Sequence, residues 1–365
     1  MTPKELQNEK WLQAELKIIE KTRHLKNIFS KFAAVEPDTF ITSLPYFMIT
    51  GRENITVYQE NDAYVVTINH PHENGTTLLF PELNGNGDLT AKVLNHLHQQ
   101  ADKIRLGRYM HADVIRLYEA LGRSEHNNIV ALKHIPEQTM DWGINPAHVY
   151  DTKMLAHPSG KALRDLTNNF NRAVKAGCIT KPLFDSNHEL HPDSLPSIIK
   201  QVYEWVEMKI KTGQDSGEDM AAFYLALVNQ MEENPQFFNG FLTELEGDIV
   251  GFTVWDTLSG RSANGLAGLS SRGVSGLTHF QTVEACKQLY KDGVWFYNLG
   301  ASEAKNSGLE DLRQRLRPIR SVGMDTFELI TSPDSIDIPL NGVEISVIES
   351  TERRLDRMDL YKFDP

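Results

Sequence analysis

Gly293-Val-Trp-Phe-Tyr-Asn-Leu-Gly-Ala-Ser302 is the stretch from which the rest of the chain can be read. Val294 to Leu299 is a short apolar and aromatic run bounded by glycines, which predicts a buried strand. Gly300 turns the chain, and a polar loop then feeds a predicted helix carrying Arg313 and Arg317 ahead of Pro318. Strand end, loop and basic helix is how alternating α and β layers present a site, because ligands collect beyond the carboxyl ends of strands.

Working back from this strand, Gly276 to Tyr290 predicts a helix and Ser262 to Leu269 a strand interrupted by Gly265 and Gly268. Gly240 to Leu245 and Asp248 to Thr257 predict a hairpin across Glu246-Gly247, with Phe252, Val254 and Trp255 as strand formers. Two helices, Ser197 to Lys211 and Gly217 to Met231, precede it, and two strands, Asp325 to Ile330 and Val343 to Ile348, follow the Arg313 helix. In the first half, one or two amphipathic helices over residues 5 to 33 lead into strands at Thr56 to Tyr58, Tyr64 to Ile68 and Thr77 to Phe80. A helix at Leu89 to Ala101, a strand at Lys103 to Leu106 and a helix at Ala112 to Leu121 come next.

The second half therefore runs two helices, three antiparallel strands, helix, strand, helix, strand, strand, which is the element order of a GNAT-type acyltransferase domain. The first half runs in a similar order. The expected fold class is α+β, two tandem GNAT-like domains with mixed sheets. The expected division is residues 1–180 for the first domain, including a basic helix at 160–176, and 181–365 for the catalytic one.

The chain has 365 residues, 40% apolar and 24% charged, so it is expected to fold as two domains of ordinary size. No run of about 18 apolar residues occurs, and the Lys- and Glu-rich start reads as neither a signal peptide nor an anchor. With two cysteines, Cys178 and Cys286, there is no disulfide framework, and a cytoplasmic location is expected. A net charge of -12 argues against general nucleic-acid binding, though not against a local basic groove.

Such a local feature exists. On the helix after Gly160, Lys161, Arg164, Asn168, Arg172 and Lys175 fall on one side, while Leu163, Leu166, Phe170, Ala173 and Val174 fall on the other. Lys161 to Lys181 holds five basic residues against one acid, Asp165. A solvated outer face and a phosphate-binding stripe both remain open readings.

Several chemistries are set aside. There is no Gly-x-x-x-x-Gly-Lys-Ser/Thr loop. Gly268-Leu-Ser-Ser-Arg272 ends in Arg where a nucleophile elbow needs glycine. His70-Pro-His72 and His96-Leu-His98 have the wrong spacing for a helical zinc site, so no metal site is expected. Gly265 and Gly268 suit a bulge or a relief of crowding. Ser271-Arg-Gly-Val-Ser-Gly276 has the place, but not the spacing, of the Arg/Gln-x-x-Gly-x-Gly/Ala loop with which a CoA enzyme holds pyrophosphate.

Val149-Tyr-Asp-Thr-Lys-Met-Leu155 with Ser159-Gly-Lys161, Asp248-Ile-Val-Gly-Phe252, Tyr297-Asn-Leu-Gly300, and Gly308-Leu309 through Arg313 to Pro318 resemble, in this order, the C-terminal domain of phosphatidylglycerol lysyltransferases. These are tandem-GNAT, aminoacyl-tRNA-dependent transferases related to the Fem peptidoglycan enzymes, and the resemblance covers residues 147 to 330. It implies transfer of an amino acid from aminoacyl-tRNA to an amine or hydroxyl acceptor, a small molecule or a lipid, with no cofactor beyond the aminoacyl-tRNA co-substrate. It implies Asn298 and Arg313 in the catalytic region, and Arg272, Asp256, His279 and Ser302 as contacts to the acceptor or the amino acid. Lys161, Arg164, Arg172 and Lys175 are the candidates for tRNA phosphates.

The chain departs from the family pattern at Glu310 and at Arg313, where Lys is common. Ser307-Gly-Leu-Glu310 forms a capping box, which assigns Glu310 a structural role. A CoA-dependent N-acyltransferase and a catalytically silent tRNA- or peptide-binding protein stay open as alternatives. The transferred amino acid, the acceptor and the oligomeric state are not encoded in any motif.

Overall fold

The computed structural model describes residues 43–50, 54–69, 75–98, 103–123, 129–134, 146–192, 194–212, 217–257, 261–300, 308–322, 325–331 and 340–349. The helices expected over 5 to 33 and Ser302 lie outside the described residues. The described residues begin with α1 (Leu44–Thr50), β1 (Asn54–Glu60), β2 (Ala63–Asn69), β3 (Thr76–Leu79), α2 (Asp88–Leu97), β4 (Lys103–Tyr109), α3 (His111–Arg123) and β5 (Ile129–His134). It continues through β6 (Ala147–Asp151), α4 (Thr152–Ala156), α5 (Arg164–Ala176), β7 (Ile179–Pro182), α6 (Ser194–Lys211) and α7 (Gly217–Glu233). Then come β8 (Asn239–Leu245), β9 (Asp248–Thr257), β10 (Ser262–Ser270), α8 (Leu277–Lys291), β11 (Phe296–Asn298), α9 (Gly308–Arg315), β12 (Arg320–Val322), β13 (Asp325–Thr331) and β14 (Glu344–Glu349).

Among the described residues two seven-stranded sheets result, ordered β14-β1-β2-β3-β4-β13-β5 and β7-β8-β9-β10-β11-β6-β12. They correspond strand for strand. The parallel pair, β3 with β4 and β10 with β11, occupies the fourth and fifth positions of each. The sixth strand of each is antiparallel to both neighbours and comes from the other half of the chain: β13 enters the first sheet and β6 the second. The tandem α+β reading therefore holds, with mixed sheets.

The expected division at residue 180 does not follow the sheets. β6, placed with the first domain by sequence, pairs with β11 and β12, whereas β13 and β14, placed with the second, complete the first sheet. A strand's sheet is chosen by long-range pairing, which local propensity does not encode.

The layers follow from strand alternation. Tyr64 and Val66 of β2 face one core, while Val65 faces another with α2 and α3. The first of these cores lies between the sheets, where Phe47 of α1, Ile198 of α6 and Leu227 of α7 meet Phe252 and Val254 of β9. Fully burying a side chain such as Phe47 or Phe252 contributes about 1.5–3 kcal/mol. The outer face of the second sheet carries α4, α5 and α8 through Leu155, Leu166 and Val283.

Two local expectations are corrected. α9 ends at Arg315, and Arg317 sits in a left-handed turn at φ 60, so it is not a helical residue. Val174, assigned to the apolar side of α5, is 46% exposed, because Leu166 and Ala173 make that helix's buried contacts.

Candidate functional site

β10 and β11 pair only over Ser262 to Asn264 and Phe296 to Asn298, yet β10 runs on to Ser270. The two parallel strands thus part just beyond Asn264 and Asn298. Gly265 sits at the fork: a Cβ there would meet the Tyr297 hydroxyl at 2.8 Å and Leu299 Cδ2 at 3.0 Å. A β-bulge against β9 falls between Gly265 and Ala267, where a glycine was expected to allow one.

Across the fork Asp256, Asn264 and Asn298 form a row on three neighbouring strands, each in register with the next. Their strand neighbours Trp255, Ala263 and Tyr297 pack into the outer core. Alternation therefore turns the polar row toward the layer between the sheets. All three polar residues are buried, Asn264 at 0% exposure. The carboxylate of Asp256 accepts from the Asn264 main-chain N–H at 3.0 Å and from the hydroxyl of Ser43, at the start of α1. Burial pushes the Asp256 carboxyl up to about 6, against the opposing pull of the Ser43 hydrogen bond. The Asn264 carboxamide lies near enough to that carboxylate to favour its charge, yet neither of its polar atoms has a hydrogen-bond partner.

The loop after β11 is held from the other side. Asn298 Oδ1 accepts the Gly300 N–H at 2.8 Å, and Arg313 Nη2 donates to the Leu299 carbonyl at 2.7 Å. Asn298 and Arg313 thus meet at one turn. β6 frames the same turn: the Leu299 N–H donates to the His148 carbonyl at 3.0 Å, and the His148 N–H donates to the Gly300 carbonyl at 3.2 Å. His148, fully buried, sets Nδ1 at 2.8 Å from Ser321 and Nε2 at 2.9 Å from Glu310. Gln314 donates to the same Glu310 oxygen at 2.8 Å. Ser307 lies outside the described residues. Glu310 has a tertiary role that the capping-box reading did not anticipate: it ties α9 to β6.

The remaining candidates form a second group on the outer face. His279, in the first turn of α8, is half-buried, and its pKa is lowered by burial; Asp165 of α5 pulls it back up and Arg315 of α9 pushes it down. The first turn of α8 thus lies within electrostatic reach of both helices. Lys161, Arg164, Arg172 and Lys175 are exposed, as is Arg272 in the loop before α8. Arg172 bridges to that loop, donating to Ser275 Oγ at 2.9 Å. Gly276, left-handed at φ 84, lies so close to α5 that a Cβ would stand 2.2 Å from the Asn169 carbonyl oxygen.

Asn264, His148 and Ser43 were missed by sequence reading. Asn264 carried one signal, a carboxamide at an inward strand position beside the Gly265 bulge. Ser43 and His148 carried none, since their partners stand 213 and 162 positions away.

Among the described residues no group of three His, Cys, Asp or Glu side chains could hold a metal ion, and no helix is long and apolar enough to cross a membrane. No curated protein matches the chain. Among solved structures, a conserved protein of unknown function from Bacteroides thetaiotaomicron is similar with a TM-score of 0.60 at 14% identity, over 75% of this chain and 86% of that one. The structure of L-PGS from Bacillus licheniformis is similar with a TM-score of 0.58 at 12% identity, over 84% of this chain and 91% of that one. At such identities the likeness establishes the fold. The family described as phosphatidylglycerol lysyltransferase, C-terminal, matches residues 42–324, from α1 to beyond β12. Well over half of the chain is matched, and the chain belongs to that family of transferases.

Proposed function

We propose that this chain is an aminoacyltransferase that moves an amino acid from the ester of an aminoacyl-tRNA to an amine or hydroxyl acceptor, a small molecule or a lipid. The observation that carries the reading is the Asn264 carboxamide, fully buried at the strand fork with no hydrogen-bond partner for either polar atom. A buried amide left without partners costs roughly 1–3 kcal/mol. A carbonyl oxygen brought to Nδ2 removes the donor's share of that cost, and the developing oxyanion strengthens the same hydrogen bond.

An aminoacyl ester is already activated, so positioning and oxyanion stabilisation suffice without a covalent enzyme intermediate. The acceptor nitrogen or oxygen forms a bond to the acyl carbon, and the bond from that carbon to the terminal ribose oxygen breaks. The proton lost by the acceptor ends on the ribose oxygen. Asn264 is assigned to the oxyanion, and Asn298 with Arg313 holds the Leu299–Gly300 turn beside it. Lys161, Arg164, Arg172 and Lys175 supply exposed positive charge for phosphates of the acceptor end.

The CoA alternative needs the amides at the start of α8 to be open to a pyrophosphate. The approach of the Asn169 carbonyl to Gly276 weighs against it. The test is incubation of the chain with radiolabelled aminoacyl-tRNAs or with acetyl-CoA, with and without acceptor pools. Acceptor-dependent loss of label from tRNA is expected. Tight acetyl-CoA binding with no effect on tRNA would sink the reading, and tRNA binding that never discharges the ester would favour the silent binding protein.

A further inference from the structure

In the first half, the helix that follows the fourth strand of the sheet begins in an unusual way. The connection from β3 to α2 reads Glu82-Leu-Asn-Gly-Asn-Gly87, and α2 starts from Gly87, left-handed at φ 95, with no side-chain cap of its own. In the second sheet α8 likewise follows the fourth strand and starts from a left-handed glycine, Gly276. A glycine-rich turn running into a helix N-terminus points free N–H groups at one spot, and such a spot attracts anions.

In the first half that spot is filled. The Glu82 side chain folds back into its own loop, where Oε1 accepts the Gly87 N–H at 3.2 Å and Oε2 accepts the Thr90 N–H at 2.7 Å. The fit is tight: a Cβ on Gly85 would stand 1.7 Å from Glu82 Oε1. Glu82 is 9% exposed and Thr90 1%. The buried Thr90 hydroxyl makes no hydrogen bond, though it lies near enough to the carboxylate to favour its charge. Burial raises the Glu82 pKa, and the two amides pull it back down. Asp88, the other acid of the turn, is turned outward and paired with Arg123 at 2.7 Å. No cation faces Glu82 in these contacts. What holds a buried negative charge there is an amide nest, and an amide nest does not discriminate between a carboxylate and a phosphate oxygen.

We propose that the Glu82–Gly87 loop with the first turn of α2 is an oxyanion-binding site whose resident ligand is the chain's own Glu82 carboxylate. Its outside ligands are small oxyanions, carboxylate or phosphate, and Glu82 excludes them. The two halves are therefore unequal. The first half has its anion-binding amides occupied by its own side chain, while at the start of α8 no carboxylate caps the helix among the described residues and the Asn169 carbonyl closes on Gly276 instead.

The experiment uses the full chain and three proteins: wild type, Glu82→Ala and Glu82→Ser. Thermal melting is followed against sodium acetate and inorganic pyrophosphate, with sodium chloride at matched ionic strength as the control. Glu82→Ala is expected to melt lower than wild type and to regain stability saturably with acetate or pyrophosphate, while wild type responds no more than to chloride. Acetate and pyrophosphate together distinguish a carboxylate-sized from a phosphate-sized site. If Glu82→Ala does not fold, Glu82→Ser decides, since its short side chain leaves the space beside the Gly87 and Thr90 amides open. Calorimetric titration of the folded variant should then show one acetate or pyrophosphate site, bound at least roughly tenfold more tightly than wild type binds the same anion. A folded variant that gains no anion response, or a wild type that responds as strongly as the variants, overturns the proposal.

Discussion

Ser43 and Asp256, 213 positions apart, share a buried hydrogen bond that joins the start of α1 in the first half to the end of β9 in the second. The Ser43 hydroxyl also accepts the Tyr46 N–H at 3.1 Å, so one side chain caps a helix and tethers the polar row of the candidate site. The family match begins at residue 42, one position before this serine.

The tether makes stability depend on pH. The Asp256 carboxyl is raised from 3.8 to about 6 in the fold, so between these values the folded state holds a proton that the unfolded chain releases. Stability therefore falls as pH rises through this window, by on the order of 3 kcal/mol in all. Asp256→Asn is expected to lose that dependence. Ser43→Ala, which removes a donor to the carboxylate, is expected to move the upper limit of the window higher. Denaturant midpoints measured across the window check both, and an unchanged slope in Asp256→Asn would remove Asp256 as its source.

Asn264→Ala separates a catalytic role from a structural one. Removal of a buried amide that has no hydrogen-bond partner is expected to leave the unfolding free energy unchanged or to raise it by about 1 kcal/mol. Loss of an oxyanion donor is expected to lower the transfer rate by about 10²–10³. Chemical denaturation and ester-discharge kinetics on the same preparation give the two numbers. A stable variant with full activity would take Asn264 out of the reaction.

Arg172→Glu combined with Lys175→Glu addresses the basic face of α5. Both side chains are exposed and neither lies in a buried core, so the fold is expected to survive. Binding of tRNA is expected to weaken, and the slope of log affinity against log salt to flatten by about 0.7–0.9 for each phosphate that is no longer neutralised. Fluorescence anisotropy over a salt series measures it, and an unchanged slope would return this face to ordinary solvated surface.

Glu310→Ala leaves the buried His148 Nε2 facing only Gln314, at 3.3 Å. A loss of about 1–3 kcal/mol is expected. Glu310→Gln, which keeps a polar partner for the ring, is expected to recover most of it. Equal losses in the two variants would mean that charge, and not hydrogen bonding, holds α9 to β6.

The local structure was readable because its signals are local. The Glu246-Gly247 hairpin, the helix from Leu277, the bulge at Gly265 and the basic side of α5 each follow from residues within one or two turns of each other. The candidate site was readable in part. Asn298, Arg313 and Asp256 do gather around one strand fork, while Arg272, His279 and the α5 cations gather on the opposite face of the same sheet.

What the residue order settled was the α+β class, the two similar halves, and the membership in an acyl-transfer family, because periodicity and short motifs act over a few residues. The fold alone settled which sheet takes β6 and β13, which half owns His148, and that Ser43 reaches Asp256. Those outcomes rest on strand pairing and burial between segments more than a hundred residues apart. A side chain's partner at that range is set by how whole sheets close on a shared core, and nothing in its own neighbourhood of the chain records it.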